Sequence, residues 1–212
     1  VVSVLLVAVG FARAQLLKTV SYSINLKEGG QDYRIVLLSD LHLGLYVGAK
    51  HLSKAVRKIN ELKPDLVLIA GDIIDSDHYI LSQPEKLSQI AAVLREIQSK
   101  EGVYAVLGNH DPARTDEQLL LFLEDANIHL LYNGMEELER INLAGRAGIC
   151  SMKEVRIPLE EILARQNPCK PVVVLDHDPQ GIREAAKMHA DLVLCGHTHR
   201  GQFFPMTILA KL

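Results

Sequence analysis

Residues 66–75 read LVLIAGDIID, running from Leu66 to Asp75. A short β-branched apolar run that stops at a glycine has the signature of a buried strand ending in a tight turn. Two carboxylates, Asp72 and Asp75, follow that turn. Similar runs are expected to form strands at Ile35–Ser39, Val103–Leu107, Val172–Asp176 and Leu192–Cys195. Between the first two strands, Leu52, Ala55, Val56, Ile59 and Leu62 recur at spacings of three and four, which predicts an amphipathic helix that Pro64 stops. A second helix is expected from Ser82 and Glu85, at capping-box spacing, through Leu87, Ile90, Ala91, Leu94 and Ile97, ending before Gly102. A third should begin at Thr115, with Gln118 three residues on, and a fourth should occupy Gln180 to His189. Met135 to Cys150 is expected to form a hairpin. Strands alternating with helices predict an α/β fold, a sheet covered by helices.

The 212 residues suit one compact domain. With 48% hydrophobic and 23% charged residues the chain can build a core, which excludes a disordered tail, a collagen-like chain or a repeat array. Lys and Arg number 23 against 26 Asp and Glu, and no basic block occurs, so nucleic-acid binding driven by bulk charge is disfavoured. Cys150, Cys169 and Cys195 are odd in number and widely separated, unlike a disulfide framework or a thiolate metal site.

The chemistry gathers behind the strands. The junctions read Ser39-Asp40-Leu41-His42, Gly71-Asp72-Ile73-Ile74-Asp75, Gly108-Asn109-His110-Asp111, Asp176-His177-Asp178 and Gly196-His197-Thr198-His199. In open α/β sheets, residues just past the carboxyl ends of strands converge on one edge, so five such junctions can build one site. Imidazole and carboxylate ligands suit divalent metals without thiolate. A hydrolytic two-metal centre holds its ions about 3.5–4 Å apart, which calls for a bridging carboxylate such as Asp72. Asn109 would ligate through a neutral oxygen and add no further negative charge.

These ordered motifs resemble the calcineurin-like metallophosphoesterases: Asp40-x-His42, Gly71-Asp72-x-x-Asp75, Gly108-Asn109-His110-Asp111, the isolated His177 and Gly196-His197-x-His199, spanning residues 35 to 201. The wording at Ser39–Gly44 and Gly196–His199 looks most like the bacterial membrane-associated branch. The resemblance implies a four-layer α/β/β/α sandwich. It further implies that Asp40, His42, Asp72 and His199 bind one divalent ion and Asp72, Asn109, His177 and His197 a second, the ions being manganese, iron or zinc. His110 would act on the leaving oxygen or the phosphoryl oxygens, with Asp111 orienting it. The implied reaction is hydrolysis of a phosphodiester or phosphomonoester by a hydroxide held between the metals, and the apolar N-terminus suits a lipid-linked or cell-envelope phosphoester as its substrate. A catalytically inactive scaffold of the same fold and a nuclease are the rivals; the first would have lost ligands, and the second would carry a basic groove.

The ends of the chain carry separate expectations. Val1 to Ala12 (VVSVLLVAVGFA) is apolar but too short to span a bilayer, which needs about twenty residues. The tail of a truncated membrane helix, a signal remnant with Ala12-Arg13-Ala14 as its cleavage site, and a buried element are the readings weighed. Residues 1–20 are therefore set apart from a catalytic domain at 21–212, expected to be incomplete at its C-terminus, and attachment to a bacterial membrane through the N-terminus is expected. Arg200 stands where relatives commonly have glycine, either binding a substrate phosphate or lying exposed. His51, His78, His129 and His189 are expected at the surface, Asp75 and Asp178 as loop-capping or ligand-supporting groups, and Cys195 as a small buried hydrophobe. Leu43, Leu45, Tyr46 and Val47 are read as either a lip beside the site or ordinary packing.

Overall fold

In the computed structural model, which describes residues 9–10, 16–26, 32–75, 79–148 and 155–199, Leu66–Ala70 is a strand buried along its whole length. It lies in a four-stranded parallel sheet ordered β1 (Ile35–Leu38), β2 (Leu66–Ala70), β3 (Val103–Val106) and β4 (His129–Leu130). A second four-stranded sheet is ordered β5 (Gly134–Glu137), β6 (Asn142–Gly145), β7 (Val172–Leu175) and β8 (Leu192–Leu194). Only its β5–β6 pair is antiparallel; the rest is parallel. Helices α1 (Ala49–Glu61), α2 (Pro84–Arg95) and α3 (Glu117–Asp125) connect strands of the first sheet, and α4 (Leu159–Leu163) and α5 (Ile182–Lys187) those of the second.

Side chains alternate across a strand, and each central strand serves two cores. Val67 and Ile69 of β2 join Leu52, Val56, Ile59, Ile90, Leu94 and Phe122 from α1, α2 and α3. Leu66, Leu68 and Ala70 face the other way and join Leu143, Val173 and Leu175 of the second sheet. On β7 the partners alternate again, with Val172 and Val174 joining Leu159, Ile162 and Leu163 of α4 and Ala185 of α5. A strand buried on both faces must be apolar at every position, which is why β2 and β7 read as continuous runs.

The α/β character and the hairpin are as expected, since β5 and β6 pair from Gly134↔Gly145 to Glu137↔Asn142. Several helix starts differ. Ser82 caps nothing: its hydroxyl bonds the Tyr79 carbonyl at 2.7 Å within a 3-10 turn, and Pro84, whose missing N–H suits a first position, opens α2. Asp116 rather than Thr115 caps α3, accepting from the Leu119 N–H at 3.0 Å. The fourth expected helix begins as a 3-10 turn at Pro179–Gly181 and stops at Lys187. Leu43 is fully buried, its N–H bonded to the Ile73 carbonyl at 2.8 Å, whereas Leu45 and Tyr46 are exposed. His129 and His189 are exposed and His51 is half-buried. His78, Cys150 and Arg200, nearly all of Val1–Ala12 and the stretch after Arg200 lie outside the described residues. Among the described residues no helix is long and apolar enough to cross a membrane.

Candidate metal centre

Parallel strands deliver their carboxyl ends to one edge, and all five motif junctions meet there. The loop after β1 is zipped onto the loop after β2 by backbone bonds: Asp40 N–H to Gly71 O at 3.1 Å, His42 N–H to Asp72 O at 3.0 Å and Asp75 N–H to Leu43 O at 3.1 Å. Across the sheets, the Asp40 carboxylate accepts from the His197 N–H at 3.1 and 3.2 Å and from the Ser39 hydroxyl. Two glycines permit this crowding. A Cβ on Gly108 would overlap Asp72 Oδ1, and one on Gly71, where φ is +77°, would lie 2.7 Å from both the Gly108 nitrogen and His177 Nδ1.

Backbone strain is concentrated here. Asp40, His42, Asp72, His197 and His199 all have left-handed backbones, with φ between 43° and 72°. The left-handed region costs a non-glycine residue roughly 1–2 kcal/mol, so five ligand candidates held there by surrounding bonds mark a shape the fold maintains at an energetic cost.

The side chains form two groups that share Asp72. Asp40, His42, Asp72 and His199 offer ligand atoms within 4.8 Å of one another, as do Asp72, His177 and His197. Asp72 and His177 are each only 1% exposed. His177 Nδ1 donates to the Ala70 carbonyl at 2.7 Å, which leaves the Nε2 lone pair of the neutral ring facing the centre. That Nε2 sits 3.1 Å from Asn109 Oδ1, 3.2 Å from His197 Nδ1 and 3.3 Å from Asp72 Oδ2. Asp72 Oδ1 accepts the His110 N–H at 2.9 Å, but among the described residues none donates a hydrogen bond to the buried Oδ2. Lone pairs converging on one point, with an orphaned buried carboxylate oxygen among them, are what a cation would satisfy. The donor set of carboxylate, amide oxygen and imidazole fits hard or borderline divalent metals.

Electrostatics follow the same geometry. Burial alone would raise Asp72, but His177 and the His110 N–H hold its carboxyl below the ordinary value. Burial pulls His177 down, yet Asp72, the Ala70 carbonyl and Asp40 leave it above 6.5. The Asp111 carboxyl is pushed up to about 6 by burial, against backbone N–H bonds that include those of Gly108 and Ile74. Those bonds, from Gly108 and Ile74 at 2.8 Å each, show what Asp111 does: it ties the third junction to the second. His110 stands edge-on to His42, ring centroids 5.0 Å apart, and forms a third group with His42 and Asp75. His42 Nδ1 faces Asp75 Oδ1 at 3.7 Å while Nε2 faces Asp72 Oδ2 at 3.8 Å. Burial drives the half-buried Cys195 thiol up to about 12, and Cys195 belongs to none of the ligand groups among the described residues.

Residues 33–201 match the family model described as calcineurin-like phosphoesterase. The chain belongs to the calcineurin-like metallophosphoesterase family. Among its relatives in that family, a metallophosphoesterase of Helicobacter pylori is 33% identical over 206 residues, 96% of this chain and 53% of the relative. A transmembrane protein with a metallophosphoesterase domain from Danio rerio is 36% identical over 202 residues, 88% of this chain and 45% of the relative. The chain thus spans about half the length of these metallophosphoesterases. Among solved structures, the NAD nucleotidase of Haemophilus influenzae shares the fold, with a TM-score of 0.53 at 19% identity over 79% of this chain and 38% of that one.

Ser39 and Asp176 stand in the motif junctions, but the sequence assigns neither of them a role. Ser39 bonds the Asp40 carboxylate. Asp176 is buried beside His177 and paired with Arg156, a residue with no local motif around it. The one cue was a charged residue at the end of an otherwise apolar run.

Proposed function

We propose that this chain is a dinuclear metal-dependent phosphoesterase. The observation that carries the reading is Asp72, whose carboxylate belongs to both ligand groups and keeps a buried oxygen with no donor among the described residues. Asp40, His42, Asp72 and His199 would hold one divalent ion, and Asp72, Asn109, His177 and His197 the other. When bound, the two ions would supply an acidified water as nucleophile and charge neutralisation at the phosphoryl oxygens. The protein's own part is to fix these groups. The Ala70 carbonyl selects the His177 tautomer, Asp75 steadies His42, and Asp111 holds the Asn109-His110 loop in place. His110, on the half-open side next to His42, would protonate the leaving oxygen or bind a phosphoryl oxygen.

A phosphodiester or phosphomonoester of a lipid-linked or cell-envelope molecule is the substrate we favour, with attachment at a membrane. Support comes from relatives named as transmembrane proteins with a metallophosphoesterase domain and from the apolar sequence of Val1–Ala12. An inactive scaffold is disfavoured because every ligand position is filled. The test is hydrolysis of 4-nitrophenyl phosphate and bis(4-nitrophenyl) phosphate by chelator-treated protein given back manganese, iron or zinc. Metal-dependent turnover of either ester supports the reading, and no turnover with any of the three metals contradicts it.

A further inference from the structure

Asp176, immediately before His177, is 1% exposed and held from two directions. Arg156 grips its carboxylate with both terminal nitrogens, Nη1 to Oδ1 at 3.1 Å and Nη2 to Oδ2 at 2.5 Å. The same Nη1 donates to the Ala147 carbonyl, just past β6, at 2.7 Å. Asp176 Oδ1 also accepts the Asp178 N–H at 3.3 Å, so one carboxylate pins the chain on both sides of His177. A neighbouring pair supports the grip: Arg146 binds Glu184 at 2.7 Å and the Ile157 carbonyl, next to Arg156, at 3.1 Å. Nothing larger than hydrogen fits over the clamp, because a Cβ on Gly181 would overlap Asp176 Oδ2 and lie 2.5 Å from Arg156 Nη2.

Buried ion pairs are weak sources of stability, since desolvation offsets most of the attraction and apolar replacements are often neutral or better. Adjacency to a ligand gives this pair another use. We propose that Arg156 is a positioning residue, which acts through Asp176 to fix His177 as a ligand of the second metal position. The proposal rests on the dinuclear reading above. The His177 ring is held by the Ala70 carbonyl of the first sheet, its own carbonyl by the Gly196 N–H at 3.1 Å, and the chain on either side of it by the Asp176 clamp of the second sheet. Together these anchors leave one orientation for Nε2, the one that meets Asn109 and His197. With the clamp gone, the Ala70 and Gly196 bonds remain but the chain on either side of His177 is no longer pinned, and Nε2 shifts from the other two ligands.

The experiment titrates manganese into chelator-treated protein by calorimetry for Arg156→Lys, Arg156→Met and the double variant Arg156→Met/Asp176→Leu. The first ion should bind as in the unaltered chain, while the second should weaken about 10–100-fold in all three, the range for lost ligand-orienting partners. The double variant, free of an unpaired buried charge, should recover thermal stability without recovering the second ion. In the metal-free protein, the His177 Nδ1–H resonance should be sharp in the unaltered chain and shifted or broadened in the variants. Wild-type affinity for both ions with an unmoved His177 resonance would overturn the proposal, as would full rescue by lysine, which cannot make the two-nitrogen grip. An unaltered chain that binds fewer than two ions would instead sink the dinuclear reading, and the His177 resonance would still decide the positioning role.

Discussion

Asp72 and Asp75 lie three positions apart in one motif, yet their surroundings assign them different work. Asp72 is buried between both ligand groups, while Asp75 belongs to neither of them and faces the far nitrogen of His42. Asp72→Asn should therefore abolish binding of at least one ion, whereas Asp75→Asn should weaken metal affinity by no more than about 10–100-fold. Metal content after dialysis measures this, and equal losses would contradict the assignment. Gly108 is the steric counterpart. Gly108→Ala drives a methyl group into Asp72 Oδ1 and to 2.5 Å from the Asp72 nitrogen, so it should cost about 1–3 kcal/mol in denaturant titrations and displace the shared carboxylate. His110 differs from both. His110→Asn should keep its metals and lose about 10²–10⁴-fold in kcat, less on a nitrophenyl ester whose leaving group needs little protonation. Loss of metal in that variant, measured by elemental analysis, would move His110 into the ligand set.

Among the elements, α4 and α5 depend on one carboxylate. Glu184 Oε1 accepts the Leu159 N–H at 2.7 Å, capping α4 from a distance, and Oε2 binds the fully buried Arg146 at 2.7 Å. Burial works against it, but Arg146 and the Leu159 N–H hold the Glu184 carboxyl below its ordinary 4.5. A depressed carboxyl contributes stability that is present above the unfolded value and is lost as pH falls through the folded one. Thermal melts should accordingly show the Glu184→Gln penalty at neutral pH and see it shrink as pH falls below 4.5 and through the lower folded value. Glu184→Ala strands a buried guanidinium and should cost about 3–5 kcal/mol. A neutral-pH penalty under 1 kcal/mol would show that Arg146 finds other partners.

These same elements mark where sequence reading ran out. β2 and β7 are legible because strands buried on both faces must be continuous apolar runs, and β1, β3 and β8, only partly buried, are legible as short β-branched runs that end in metal-binding residue types. β4 and α4 were missed, since two and five residues are too short to establish a period. The capping box at Ser82 misled because Pro84 already satisfies that helix start. Arg156 was invisible because its partner is 20 residues away and the contact belongs to tertiary structure alone.

At the scale of the whole molecule, the centre is a seam. Asp40, Asp72 and Asn109 come from the first sheet, and His177, His197 and His199 from the second. Metals bound there would join the sheets at one edge while Leu68, Val173 and Leu175 join them inside. Metal at a hundredfold excess over its Kd should add about 2.7 kcal/mol per site, roughly 5–10 °C in Tm for a chain of this size. Scanning calorimetry with and without chelator reads this, and an unchanged Tm would mean that no metal spans the seam.

The central claim is that one carboxylate, Asp72, is shared by two ions. Electron paramagnetic resonance of the manganese-loaded protein tests it most directly, because ions about 3.5–4 Å apart on a common bridge are magnetically coupled. The account predicts a coupled two-manganese signal at two ions per chain, replaced by an isolated-ion signal in Asp72→Asn. Two uncoupled ions, or a coupled pair that survives Asp72→Asn, would contradict it.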